Sequence, residues 1–188
     1  MRGSDVVAAA TEMTRALTPH HEADWSVAAG TLEWSCRTTA AHIAHDLLAY
    51  TAQVTSRAED AYLPFDLAVR EKATPRDVLR IADTCAAMLA RAVDTAGPNA
   101  RAWHWGACDP GGFAAMGVAE ILLHTHDITR GLNVAWTPPP ALATGVLHRL
   151  FPDAPAGEPA AVLLWCAGRG ELEGRARRTA WKWRAALD

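Results

Sequence analysis

Apolar positions recur at helical spacing through most of the first 130 residues. VVAAATEMTRAL predicts a first helix that Ser4 caps and Pro19 ends. HHEADWSVAAGTLEW, residues 20–34, predicts a loop with two tryptophan anchors. A long helix follows from about Arg37 to Arg57, with Ile43, Leu47, Tyr50 and Val54 at core spacing, and YLPF at 62–65 breaks the pattern. Thr74-Pro75-Arg76-Asp77 has the form of a helix start: threonine as N-cap, proline at N1 and a capping-box acid at N3. Ile81, Cys85, Met88 and Leu89 continue that helix until Gly97-Pro98. WHWGACDPGG, 103–112, predicts a second tryptophan-bearing loop leading into a fourth helix, with Asp109 as N-cap and Gly131 at its close. After WTPPP come short helices over 141–150 and 159–166. The end of the chain, RRTAWKWR, alternates, placing Thr179, Trp181 and Trp183 opposite Arg178, Lys182 and Arg184, which predicts a strand.

Four helices joined by longish loops imply a mainly all-α fold, a four-helix bundle over residues 1–135. Residues 136–188 are expected to form a short α/β cap packed on the bundle rather than an independent domain.

Composition narrows the function classes. A chain of 188 residues, half of them hydrophobic and 21% charged, suits one soluble domain with a full core. Eighteen basic against 21 acidic residues give a net charge of −3, which argues against nucleic acid or an anionic membrane as the main partner. The five cationic residues within 175–184 are expected to be the solvated face of the edge strand. No apolar run approaches the length of a bilayer span and no signal-peptide core is visible, so a cytoplasmic location is expected. Cys36, Cys85, Cys108 and Cys166 are widely spaced, unlike a zinc ribbon or a disulfide framework, and are expected to be reduced. Eight tryptophans against three phenylalanines and two tyrosines suggest wide rings lining a pocket, pinning helices or meeting in a homodimer.

AEILLHTHDITRGL, 119–132, places a glutamate, two histidines and an aspartate on an apolar helix. At about 100° per residue, His124 and Asp127 share the Glu120 face to within roughly 40°, while His126 lies roughly 120° away. Burying these groups unpaired costs several kcal/mol, so a salt bridge, a hydrogen-bond network, a water or a metal ion must satisfy them. In the second helix, AAHIAHDLL puts His42, His45 and Asp46 on one face, suited either to solvent or to the wall of a wet cavity. A catalytic zinc-type site needs three protein ligands and an open position. Glu120 and His124 supply an i, i+4 pair, and a histidine from a facing helix would complete it.

LEWSCRTTAAHIAHDLLAY resembles the W-[ST]-x-R-x4-H signature of the mycothiol-dependent maleylpyruvate isomerase N-terminal domains of the DinB-like superfamily. AAMGVAEILLHTHDITRGLNVAWTPP resembles that family's E-x3-H-x2-D segment and the LG-x-x-W turn after it, with Asn133 where the turn usually has glycine, a place that αL-tolerant asparagine accommodates. The resemblance covers about residues 5–150 and matches Trp34, Arg37, His42, Glu120, His124 and Asp127 in order and spacing. It implies an up-down-down-up bundle with a divalent metal, zinc first and nickel as the alternative, on His42, Glu120 and His124. His126 then packs elsewhere.

The same resemblance implies that the metal's open position takes the thiol of mycothiol or another small thiol, activated to attack a small electrophile, as an S-transferase or a cis–trans isomerase. Asp127 is expected to orient His124, and His45 or Asp127 to relay a proton. Trp34, Arg37 and Arg169 are expected to contact the substrate, the arginines through a carboxylate. The isomerases carry a sizeable C-terminal domain, of which LLWCAGRGELEG resembles the end, so a shortened version of that region is expected in this chain. Its alanine- and arginine-rich, lysine-poor composition fits a high-GC actinobacterial source. A non-catalytic, metal-stabilised protein that binds a small molecule or a partner is the alternative.

Overall fold

A computed structural model describes residues 1–187 as a mostly helical protein. Its elements are α1 (Gly3–Leu17), α2 (Cys36–Ser56), α3 (Pro75–Thr95), two short strands β1 (Ala102–Trp103) and β2 (Ala107–Cys108), α4 (Pro110–Gly131), α5 (Pro140–Leu150) and α6 (Pro159–Cys166). No helix among the described residues is long and apolar enough to cross a membrane.

Local chemistry accounts for most helix starts. The Thr74 and Asp77 side chains cap each other's backbone N–H groups ahead of Pro75, and the Ser35 and Asp109 side chains accept from Thr38 N–H and Gly112 N–H. α1 departs from expectation: it begins at Gly3, and the Asp5 carboxylate reaches back to Arg2 N–H, so Ser4 is not its cap. Gly131 closes α4 by proximity rather than by a left-handed turn. A Cβ there would collide with the Ala28 carbonyl oxygen and sit 2.7 Å from Cys36 Sγ. The left-handed residue is Asn133, with φ of 56°.

α4 is the axis of the core. Every residue from Gly112 to Thr125 is buried, so it has no solvent face along those turns. α1, α2, α3 and α5 pack around it. The ends fix the directions. Gly3 N–H donates to Asp94 at the end of α3, so α1 and α3 run antiparallel. The Met1 backbone lies beside Gly111, and Trp136 Nε1 donates to Glu12, so α1 and α4 run parallel. Cys36 Sγ lies 3.7 Å from Ile128 O, setting the start of α2 against the end of α4. Arg37 reaches the Arg70 and Ala73 carbonyls at the entrance to α3, so α2 and α3 are parallel.

The expected terminal strand does not form. Residues 175–187 are irregular, joined at Leu172 and Arg175 by one isolated bridge and held by Arg184 N–H to Leu150 O and Leu187 N–H to Ala107 O. Alternation alone cannot make a strand without an edge to pair with, and the only ladder among the described residues is β1–β2. The expected α/β cap is therefore two helices and an extended tail, with α5 on α4 and α6 on α5.

Candidate metal centre

α2 and α4 face each other across a polar seam inside the apolar core. His42, Asp46 and Tyr50 stand one turn apart on α2, and Glu120, His124 and Asp127 stand on one face of α4. Glu120 and His124 are each only 8% exposed, because α4 is wrapped along this length. A carboxylate and an imidazole so placed require partners.

They have them. Glu120 Oε2 lies 3.2 Å from His124 Nε2 and 3.9 Å from His42 Nε2. The Tyr50 hydroxyl donates to Glu120 Oε1 at 3.3 Å. His42 and His124 meet edge to face with ring centroids 5.0 Å apart. Ligand atoms of His42, Glu120 and His124 all lie within 4.8 Å of one another, so this buried group could hold a metal ion.

The far nitrogen of His124 is held as well. Asp127 Oδ2 lies 3.0 Å from His124 Nδ1. Arg169, just past α6, donates Nε and Nη2 to the Asp127 carboxylate at 3.1 and 2.8 Å and Nη1 to Ala167 O. With its Nδ1–H directed at Asp127, the neutral ring turns the Nε2 lone pair toward Glu120 and His42, the carboxylate–histidine arrangement common behind metal ligands.

Electrostatics follow this geometry in the metal-free protein. Burial opposes charge on His124, but its hydrogen bonds to Asp127 and Glu120 outweigh burial and raise it to about 9. Burial also opposes charge on Glu120, and His124 and His42 overcome it and lower the carboxyl. Burial, then the neighbouring Glu120 carboxylate, push Asp46 up to about 8. Burial lowers His42. His124 therefore carries a proton where a cation would sit, and the two compete for Nε2.

Other residues named from the sequence lie as follows. Trp34 sets its ring edge against His42, centroids 4.9 Å apart, and stays 45% exposed, forming the outer wall of the site. Arg37 spends its guanidinium on the Arg70, Glu71 and Ala73 carbonyls and so fastens the loop before α3. His45 Nδ1 accepts from Leu67 N–H at 3.1 Å, holding the 58–74 loop on α2. His126 is turned away from the cluster, and its Nδ1 is buried with no partner among the described residues.

Asp46 and Tyr50 belong to the seam, although the sequence reading placed Asp46 only on the His42 face and Tyr50 only in the core, and named neither as a site residue. The signal was the i, i+4, i+8 spacing from His42. The tryptophans divide their work: Trp25 and Trp136 pin helices through Nε1 to His20 O and to Glu12, while Trp105, Trp181 and Trp183 line an open cleft of about 770 Å³ beside His104. All four cysteines are free and buried.

No protein-family model, curated protein or solved structure matches the chain.

Proposed function

We propose that this protein is a divalent-metal-dependent enzyme of the DinB-like class that uses a small thiol, mycothiol or one like it, to attack a small electrophile. The observation that carries the proposal is the convergence of His42, Glu120 and His124 from two facing helices. Two features support the family reading. The helix directions follow an up-down-down-up order, and the three side chains fall on the positions that the sequence motifs mark. Two imidazoles and one carboxylate suit zinc, with nickel next.

When bound, the ion supplies a Lewis-acid position at which a thiol loses its proton near neutral pH. The protein's residues do the rest. Asp127 and Arg169 hold the His124 tautomer, Tyr50 fixes the Glu120 carboxylate, and the exposed Trp34 ring walls the approach beside His42. In a transferase the sulfur would form a C–S bond to the electrophilic carbon as a leaving group such as halide departs with its bonding pair. In an isomerase it would add to a conjugated C=C bond whose pair moves onto the adjacent carbonyl oxygen, and after rotation about the resulting single bond the pair would return and expel the thiolate. The cytoplasm, where small thiols stay reduced, is the compartment this chemistry needs.

The test is thioether formation from mycothiol and a chromogenic aryl halide by zinc-reconstituted protein. Turnover that requires both thiol and metal and disappears in His124→Ala supports the proposal. A second reading, a non-catalytic metal-stabilised binding protein, draws on one observation: Arg37 and Arg169 are already committed to internal partners, so neither offers a free cation to a carboxylate substrate. Stoichiometric metal with no thiol-dependent turnover on any electrophile tried would favour it.

A further inference from the structure

We propose that Asp46 is a fourth protein donor to the metal, making the centre a two-histidine, two-carboxylate site. This rests on the proposal that His42, Glu120 and His124 bind a divalent ion. The ordinary alternative is a helical His42–Asp46 ion pair one turn apart, a common and weak surface feature. Three observations set this pair apart.

The first is shared use of one atom. Asp46 Oδ2 lies 3.3 Å from His42 Nε2, and Glu120 Oε2 lies 3.9 Å from that same nitrogen. Both carboxylates thus lie around the one ring nitrogen that would ligate the ion. A cation beside Nε2 attracts both oxygens while accepting the nitrogen lone pair.

The second is charge. Asp127 is neutralised by Arg169 through three hydrogen bonds. Neither Glu120 nor Asp46 makes a lysine or arginine ion pair among the described residues; their ion-pair contacts are to histidines. With both imidazoles neutral, as metal ligation requires, two carboxylates remain in a seam where Glu120 is buried and the Asp46 side chain is only 20% exposed. One divalent cation balances them.

The third is placement. α2 sets Asp46 one turn past His42 on the face turned to α4, next to the Glu120 carboxyl, while Leu47 on the adjoining face is fully buried in the core. The backbone thus holds the aspartate at the rim of the donor cluster. Its oxygen borders the His42 and Glu120 side rather than His124, which makes Asp46 the outermost donor and the one that an incoming anionic ligand would replace.

The experiment uses the full chain, with Zn²⁺ competed against a chromophoric chelator and Co²⁺ as a spectroscopic probe, for wild type, Asp46→Asn and Asp46→Glu. Asparagine keeps the size but removes the charge. The expected result is a loss of about 100-fold in Zn²⁺ affinity for Asp46→Asn, with a changed Co²⁺ visible spectrum and partial recovery of both in Asp46→Glu. Metal-free melting curves of the three proteins verify that each is folded. Unchanged affinity and spectrum in Asp46→Asn would overturn this inference while leaving the three-residue centre intact. Weaker binding with an unchanged spectrum would also overturn it, making Asp46 only a charged neighbour of His42. A wild type that takes up neither ion would overturn both.

Discussion

His124 is the residue on which proton and metal meet. Its folded value of about 9 lies above the ordinary value of 6.5, so the stabilisation from its charged form is complete below about pH 6.5 and is lost as pH rises toward 9. Asp46, raised to about 8, acts in the same direction, because the folded state binds its proton more tightly than the unfolded chain does. Metal-free protein should therefore lose about 4–5 kcal/mol between pH 6.5 and 9. Metal affinity should rise over the same interval as the competing proton leaves Nε2. Melting curves in chelator and in zinc, recorded at pH 6, 7.5 and 9, should diverge as pH increases; parallel curves would contradict this electrostatic picture. At the same scale, Asp127→Asn should weaken zinc binding about 10–100-fold by releasing the His124 ring, as competition titration would read directly. The pairing of Glu120 with His124 was legible from the helical wheel, since i and i+4 share a face. The wheel also grouped His45 with His42 and Asp46, but it gives only a direction. The 58–74 loop, which no periodicity describes, supplies the Leu67 N–H that holds His45 outside the cluster.

α4 succeeds as a buried element because small residues let its neighbours close on it. Gly131 is the tightest point, with the Ala28 carbonyl, Ala29 and Cys36 pressed against the place a side chain would take. Gly131→Ala should cost about 1–3 kcal/mol in urea unfolding by driving the 28–29 loop and the start of α2 off the end of α4. The same change should also weaken metal binding, since α2 carries His42; full retention of both would mean the contact yields easily. Helix starts were legible wherever the signal is local: Thr74-Pro75 and Asp109-Pro110 each place a cap and a preset φ beside each other in the chain. One expected strand failed and one short ladder went unforeseen, for opposite reasons. RRTAWKWR has a strand's alternation but no partner edge. β1 and β2 pair over only two residues each, by a turn that depends on positive φ at Trp105 and Gly106, and so leave no periodic trace.

The molecule as a whole joins its C-terminal cap to the candidate site through one buried chain of contacts, Arg169 to Asp127 to His124 to Glu120. Asp127 and Arg169 are 42 positions apart, so neither spacing nor composition revealed that they meet. Arg169→Ala should destabilise the protein by about 3–5 kcal/mol by leaving a buried carboxylate unpaired, and combining it with Asp127→Asn should recover part of that loss. Denaturant unfolding of the single and double variants tests this; additive losses would mean the pair is not coupled. Bound metal per chain, measured by elemental analysis, bears most directly on what the protein does. Wild type should carry close to one divalent ion per chain, His42→Ala, Glu120→Ala and His124→Ala should lose it, and His126→Ala should keep it. Wild-type protein that stays free of metal after reconstitution would instead make the seam a self-satisfied polar cluster and contradict the metal-dependent reading.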